Sequence, residues 1–265
     1  MKDEILTYLP QGDWEEKIHW FDSLDSTNNE AKRLAAAGAP DGTLIISIHQ
    51  TGGRGRMGRS FQSPAGMGVY ISLLMRPGVK PEQLMHLTCA AGLYSCQGVE
   101  AATGFLPKVK WINDLIAGKQ KLGGILTEMS VSTATGLVEY AIVGVGINCG
   151  QKPQDFPPEL RDKATSLLQV TGKEVSLPRL AAAMALSLTR MNGELLTRKK
   201  AIMEGYKGLC ITLHQPVQLL RGEECTPGYA LDLDEDGGLI VSFPDGSQRT
   251  VNSGEVSVRG MYGYL

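Results

Sequence analysis

The sequence predicts an α+β fold, a mixed β-sheet with flanking helices followed by a small C-terminal β-barrel, and three observations lead there. Short apolar or β-branched runs occur at 43–49, 69–75, 109–112, 124–129 and 138–147, several of them bounded by glycine or aspartate, which is how buried strands read. Stretches rich in Ala, Leu and Met at 81–100 and 177–206 read as helices. From Cys210 onward the texture changes to short alternating runs separated by Asp234-Glu235-Asp236-Gly237-Gly238 and Pro244-Asp245-Gly246, which predict successive β-hairpins. The boundary is placed so that 1–210 form the larger region and 211–265 the smaller.

Each element has its own local reason. Thr27 followed by Glu30 matches a capping box and leads into the alanine-rich stretch 31–37, which Gly38 and Pro40 then stop. Pro81 suits the first turn of a helix, and Leu84, Leu87, Ala91 and Tyr94 place an apolar face along it. The run 138–147 is nearly all apolar and is expected at the centre of a sheet. Neither an internal repeat nor a low-complexity segment interrupts the chain.

At 265 residues and 42% hydrophobic, the chain can hold one medium domain of roughly 200 residues and a small one. A formal net charge of −2 argues against a surface built for non-specific nucleic-acid binding, so any phosphate chemistry must be local. The cysteines at 89, 96, 149, 210 and 225 show neither C-x-x-C pairing nor matching histidine spacing. That excludes a recognisable disulfide framework or zinc site and fits a cytoplasmic location. The first ten residues do not read as a signal peptide, and nowhere do about 18 apolar residues run together, so no membrane association is expected.

The most unusual stretch is Gly53-Arg54-Gly55-Arg56-Met57-Gly58-Arg59-Ser60, three glycines and three arginines in eight residues. It satisfies G-x-G-x-x-G and nearly satisfies the phosphate-loop pattern. Both patterns require a helix directly afterwards to supply amide donors, whereas Ser63-Pro64-Ala65-Gly66 breaks any helix and runs into a strand. Two readings stay open: a solvated surface loop, and a loop that closes over an anion, its guanidinium forks binding carboxylate and phosphate oxygens.

Five motifs in order are similar to those of the biotin protein ligases: Asp25-Ser26-Thr27-Asn28, the run from Gln50 through Gly53 to Arg59, Lys110-Trp111-Ile112-Asn113-Asp114, the run from Lys121 through Gly124 and Leu126 to Glu128, and Gly144-Val145-Gly146-Ile147-Asn148. The tail resembles that family's SH3-like domain. The resemblance implies the class II synthetase-like, biotin–lipoate ligase fold. It also implies an activity in which ATP and biotin, with Mg²⁺, give biotinyl-adenylate, and biotin passes to a lysine of a carboxylase's biotin carboxyl carrier domain.

Carried over by position, Ser26, Thr27, Asn28 and Gln50 resemble the segment that binds biotin's ureido ring, and Thr27 has the alternative of a plain helix cap. Gly53, Arg54, Gly55 and Arg56 resemble the biotin-binding loop, and Gly124 and Leu126 the pocket floor. Arg56 and Arg59 are candidates for phosphoryl contacts. Asn113 and Asn148 belong to the nucleotide site by resemblance. Phe61 stands where many relatives stack tryptophan on adenine, or else packs in the core. Lys121, rather than its neighbour Lys119, matches the position of a cation between carboxylate and α-phosphate, in what reads as a polar loop. Asp114 either helps hold Mg²⁺ or ends a strand and caps a turn, and Ile112 departs from the family's usual proline. The segment before Ser26 is too short for the helix-turn-helix domain that many bacterial relatives carry, so DNA binding is not expected. A homodimer is. A lipoate or octanoate ligase is the nearest alternative, with the arginine-rich loop as discriminator.

Overall fold

The computed structural model describes residues 1–221, 224–252 and 257–260; of the predicted second region, 222–223, 253–256 and 261–265 lie outside the described residues. Short helices α1 (Lys2–Thr7) and α2 (Trp14–Lys17) lead into strand β1 (Ile18–Phe21). Four residues including His19 and Trp20 carry no periodic signal, and the sequence did not predict this strand. It forms by parallel pairing with β2 (Thr43–Ser47), Ile18 opposite Leu44, with α3 (Thr27–Ala36) as the crossover between them.

Strand β3 (Gly68–Met75), helix α4 (Leu87–Thr103) and strands β4 (Lys108–Lys110), β5 (Asp114–Ala117), β6 (Gln120–Val131) and β7 (Val138–Asn148) follow, then α5 (Leu167–Thr171), α6 (Leu177–Glu194) and α7 (Lys199–Leu209). Among the described residues the first sheet runs β1-β2-β3-β7-β6-β5-β4, parallel at β1–β2 and antiparallel elsewhere. This is the mixed sheet of the predicted class, and β7 is its central strand.

Because side chains alternate across a strand, the sheet has two unlike faces. Leu44 and Ile46, Ile71 and Leu73, Val143, Val145 and Ile147 point into the main core with α4 and α6. Ile45, Leu74 and Ile142 point the other way and pack under Ala31 and Ala35 of α3. Further along that second face the alternate positions become Gly124 and Leu126 on β6 and Gly144, Gly146 and Asn148 on β7. The loss of side-chain volume opens a cleft beside α3.

Five local expectations are corrected. Ser26, not Thr27, stands at the N-cap of α3 and makes no side-chain cap bond, while Glu30 pairs with Arg33 at 2.7 Å, so the capping box does not form. The strand predicted at 109–112 ends at Lys110, because the Trp111 N–H turns away to Thr212 Oγ1 (2.9 Å); the Trp111–Ile112 peptide bond is cis. Lys121 lies on β6 rather than in a loop, and Asp114 opens β5 rather than ending a strand. The single helical stretch predicted at 177–206 is two helices, broken where the Leu195 carbonyl accepts a bond from buried His86 Nε2 (3.0 Å).

The second sheet contains β8 (Pro216–Arg221), β9 (Glu224–Leu233), β10 (Leu239–Ser242), β11 (Gln248–Val251) and β12 (Ser257–Gly260), in the order β11-β10-β9-β8-β12. Both predicted turns are present. The Asp234 carboxylate accepts the N–H groups of Asp236 (2.9 Å) and Gly238 (2.7 Å), the usual reason aspartate starts a turn. This sheet docks on the first region through Trp111 Nε1, which donates to the Gly237 carbonyl (2.9 Å), and through the pair Lys199–Asp236 (2.6 Å). Among the described residues no helix is long and apolar enough to cross a membrane.

Candidate active site

The cleft has a volume of about 700 Å³ and gathers residues from seven separate stretches of chain. Two of those stretches are stitched together by the backbone: Thr51 N–H bonds to Leu24 O (2.9 Å) and Gly52 N–H to Asp25 O (2.8 Å), which sets the start of α3 against residues 50–52. Gln50 Oε1 accepts both the N–H (2.8 Å) and the hydroxyl (3.2 Å) of Thr27, and Gln50 Nε2 donates to Ser63 Oγ (3.1 Å). Asp25 anchors the same corner, the Arg33 guanidinium holding its carboxyl well below the usual carboxylate range.

The glycine–arginine loop folds back on itself, with Gly55 N–H on Arg59 O (2.7 Å) and Phe61 N–H on Gly53 O (2.9 Å). It enters β3 with no helix between, apart from the short 3-10 turn Arg56–Gly58 inside it, so neither nucleotide-loop pattern has its structural context. Arg56 Nη1 donates to Asn113 Oδ1 (3.0 Å) and Arg54 Nη1 to Asn29 Oδ1 (3.1 Å). Burial lowers the Arg56 guanidinium from arginine's ordinary value while the Asp114 charge opposes that shift.

On the floor, Gly124 and Gly146 face each other in register. A Cβ at Gly146 would stand 2.9 Å from Phe61 Cε1, and one at Gly124 would stand 3.3 Å from Lys121 Nζ. The Phe61 ring thus lies over the glycines, edge-on to Tyr70 at 6.3 Å. Lys121 Nζ donates to Asp114 Oδ1 at 2.6 Å, and its backbone is fixed on both sides, Lys121 N–H to Lys163 O (2.8 Å) and Thr165 N–H to Lys121 O (2.9 Å). Asn148 is 5% exposed and gives Nδ2 to Thr165 O (3.0 Å).

Every residue assigned to the site from the sequence lines this cleft except Gly53. Gly53 serves the loop's shape instead, since a Cβ there would strike Phe61 O and stand 2.6 Å from Ser63 Oγ. Lys119 is not among the lining residues. Sequence reasoning passed over Lys163, Phe156, Leu160 and Gln218, which also line the cleft; they sit in irregular or C-terminal segments without a motif. Lys110 was quoted only as part of a motif, yet it lines the cleft at 7% exposure.

Among the described residues, six cationic side chains, Arg54, Arg56, Arg59, Lys110, Lys121 and Lys163, and one carboxylate, Asp114, line the cleft in a chain of net charge −2. Such a cleft concentrates anions and suits a reaction in which a carboxylate must approach a phosphate.

Comparison with known proteins agrees. Residues 20–148 match the Biotin/lipoate A/B protein ligase family and residues 212–259 the Biotin protein ligase C terminal domain. The chain is 36% identical over 234 residues to the Bifunctional ligase/repressor BirA of Bacillus subtilis, covering 87% of this chain and 70% of that protein. It is 30% identical over 237 residues to the biotin–[acetyl-CoA-carboxylase] ligase of Mycobacterium tuberculosis, covering 87% and 85%. The biotin protein ligase of Aquifex aeolicus, solved in complex with biotin and ATP, superimposes with a TM-score of 0.77 at 29% identity over 92% of this chain and 99% of that one. The chain belongs to the biotin protein ligase family.

Proposed function

We propose that the chain is an ATP-dependent biotin protein ligase, and the observation that carries this is the convergence of five separated motifs on one cation-lined, glycine-floored cleft. In the first step a biotin carboxylate oxygen attacks the α-phosphorus of ATP, the bond to the bridging oxygen breaks, and pyrophosphate leaves. In the second, the neutral amine of a carrier-domain lysine attacks the carbonyl of the mixed anhydride, AMP leaves with the electron pair, the proton lost from nitrogen passes to solvent or a base, and an amide remains.

The chain's own residues divide the work. Ser26, Thr27, Asn28 and Gln50 hold the ureido ring above Gly124 and Leu126, and the loop with Arg54, Gly55 and Arg56 covers it. Lys121 lies between the two reacting anions, whose mutual repulsion otherwise opposes attack. Arg56, Arg59, Phe61, Asn113 and Asn148 form the nucleotide side. Among the described residues, Asp114 is the only carboxylate that lines the cleft, and no cluster of metal ligands occurs. That donor set fits a Mg²⁺ ion carried in on the triphosphate, which keeps mostly phosphate and water ligands, with Asp114 supplying one oxygen. The division at 210/211 makes the first region the catalytic one and the second the SH3-like one. The acceptor is the carrier domain of a biotin-dependent carboxylase, the site of action the cytoplasm, and the assembly a homodimer.

The test is ligand-linked stabilisation together with turnover. Biotin raises the melting temperature and lipoate does not, and biotin with ATP releases pyrophosphate and labels a carrier-domain lysine. Stabilisation by lipoate with none by biotin would overturn the reading.

A further inference from the structure

Asn28 is 3% exposed and both N–H groups of its amide are committed. Nδ2 donates to Glu128 Oε2 (2.8 Å) and to Leu126 O (3.2 Å), and Oδ1 accepts from Ser72 Oγ (2.7 Å). A carboxylate and a carbonyl only accept, so both N–H groups of Asn28 must point at them and its oxygen must point away. Glu128 is itself held by Lys32 Nζ on Oε1 (2.6 Å), one helical turn from Asn28 on α3. Ser72, Gly144 and Leu126 form one cross-strand row on β3, β7 and β6. The missing side chain of Gly144 makes the slot for the amide, since a Cβ there would stand 2.8 Å from Asn28 Cγ. None of Glu128, Lys32 or Ser72 lines the cleft.

With both hydrogens spent, all that Asn28 can offer a ligand is an oxygen lone pair. The neighbouring Thr27 hydroxyl, having given its proton to Gln50 Oε1, offers lone pairs too. We propose that Glu128 is a positioning residue which makes Asn28 an obligate acceptor, so that this end of the cleft selects a ligand presenting ring N–H donors; the inference rests on reading the cleft as a biotin site. A ring without such donors leaves a buried acceptor unpaired, and rejection of that kind is stronger than a missing apolar contact provides.

Glu128→Gln tests it, because a glutamine amide can donate as well as accept and lets Asn28 turn over. Biotin and its analogues methylated at either ureido nitrogen are titrated calorimetrically into wild type and variant, alongside steady-state pyrophosphate release. In wild type, methylation of the nitrogen that meets Asn28 weakens binding. In Glu128→Gln the biotin Kd rises about tenfold, the penalty for methylation shrinks, and KM for biotin rises with kcat within about twofold. Ser72→Ala, which removes the donor that fixes Oδ1, shifts both quantities the same way. An unchanged methylation penalty in Glu128→Gln, or in Ser72→Ala where Glu128→Gln does not fold, overturns the proposal. So does a fall in kcat without a change in KM. Wild type that binds no biotin defeats the ligase reading instead, and leaves a different result on record from a variant that binds as wild type does.

Discussion

Gly58, in the loop, has a φ of +73° and nothing within 4 Å of the place a Cβ would take; Gly144, in the floor, has extended backbone and finds the amide of Asn28 in that place. These two positions use one residue type for opposite reasons. At Gly58, glycine supplies a backbone conformation that side chains disfavour, and Met57 beside it, also left-handed at φ 57°, shows how tightly the chain turns there. In the strands, glycine supplies room, so that Asn28 and Phe61 can approach the sheet. The loop therefore contributes shape and charge, and the floor contributes volume.

The comparison breaks first at Lys121, whose backbone belongs to the fixed floor. Lys121→Ala is expected to cut pyrophosphate release at saturating biotin and ATP by about a hundredfold or more, on the order of 3 kcal/mol of barrier. Its strand bonds to 163 and 165 are main-chain and survive, so the fold is retained. Chemically made biotinyl-adenylate should restore much of the transfer rate, because the carboxyl is already activated. Normal pyrophosphate release would remove Lys121 from the mechanism.

Arg56→Gly probes the loop. Without the guanidinium that reaches Asn113, adenylate should form but escape, and bystander proteins should become biotinylated on arbitrary lysines. Strict fidelity to the carrier in that variant would count against a retaining role. Gly144→Ala, by contrast, drives a methyl into an amide held by three hydrogen bonds, and biotin affinity should fall about tenfold with Arg56 untouched. An unaltered Kd would mean the floor yields after all.

The smallest effect sharpens the contrast. Gly58→Ala meets no atom, so it should lose only the cost of a left-handed alanine, about 1 kcal/mol, a drop of about 2 °C in Tm, with biotin affinity kept. A calorimetric Tm beside a biotin titration separates the two glycine roles in one experiment.

What the sequence made legible follows the same division. The strands β2, β3 and β7 are apolar runs whose burial decides their conformation, and they lie where the pattern predicts. Lys121 was misplaced because the two-residue hairpin between Ala117 and Gln120, with Gly118 at φ 59°, went unread; that glycine is the signal a tight hairpin needs. The β1 strand is too short to show periodicity and exists through its pairing with β2. Thr27 illustrates tertiary override: the spacing to Glu30 is right for a cap, but a glutamine 23 residues away takes the hydroxyl proton. Lys163 and Gln218 reach the cleft only through the packing of distant segments, and nothing local announces them.

Trp111 holds the turn that carries Asn113 and Asp114 while its indole N–H is spent on Gly237 in the turn between β9 and β10. Of the three tryptophans it is the buried one, 5% exposed, with Trp14 and Trp20 partly open to water. Nature has therefore placed a fluorophore at the seam between the two sheets. Its emission reads the seam directly: a docked indole, bonded to a carbonyl and shielded, emits to the blue, and an undocked one emits as in water even where each sheet keeps its own fold.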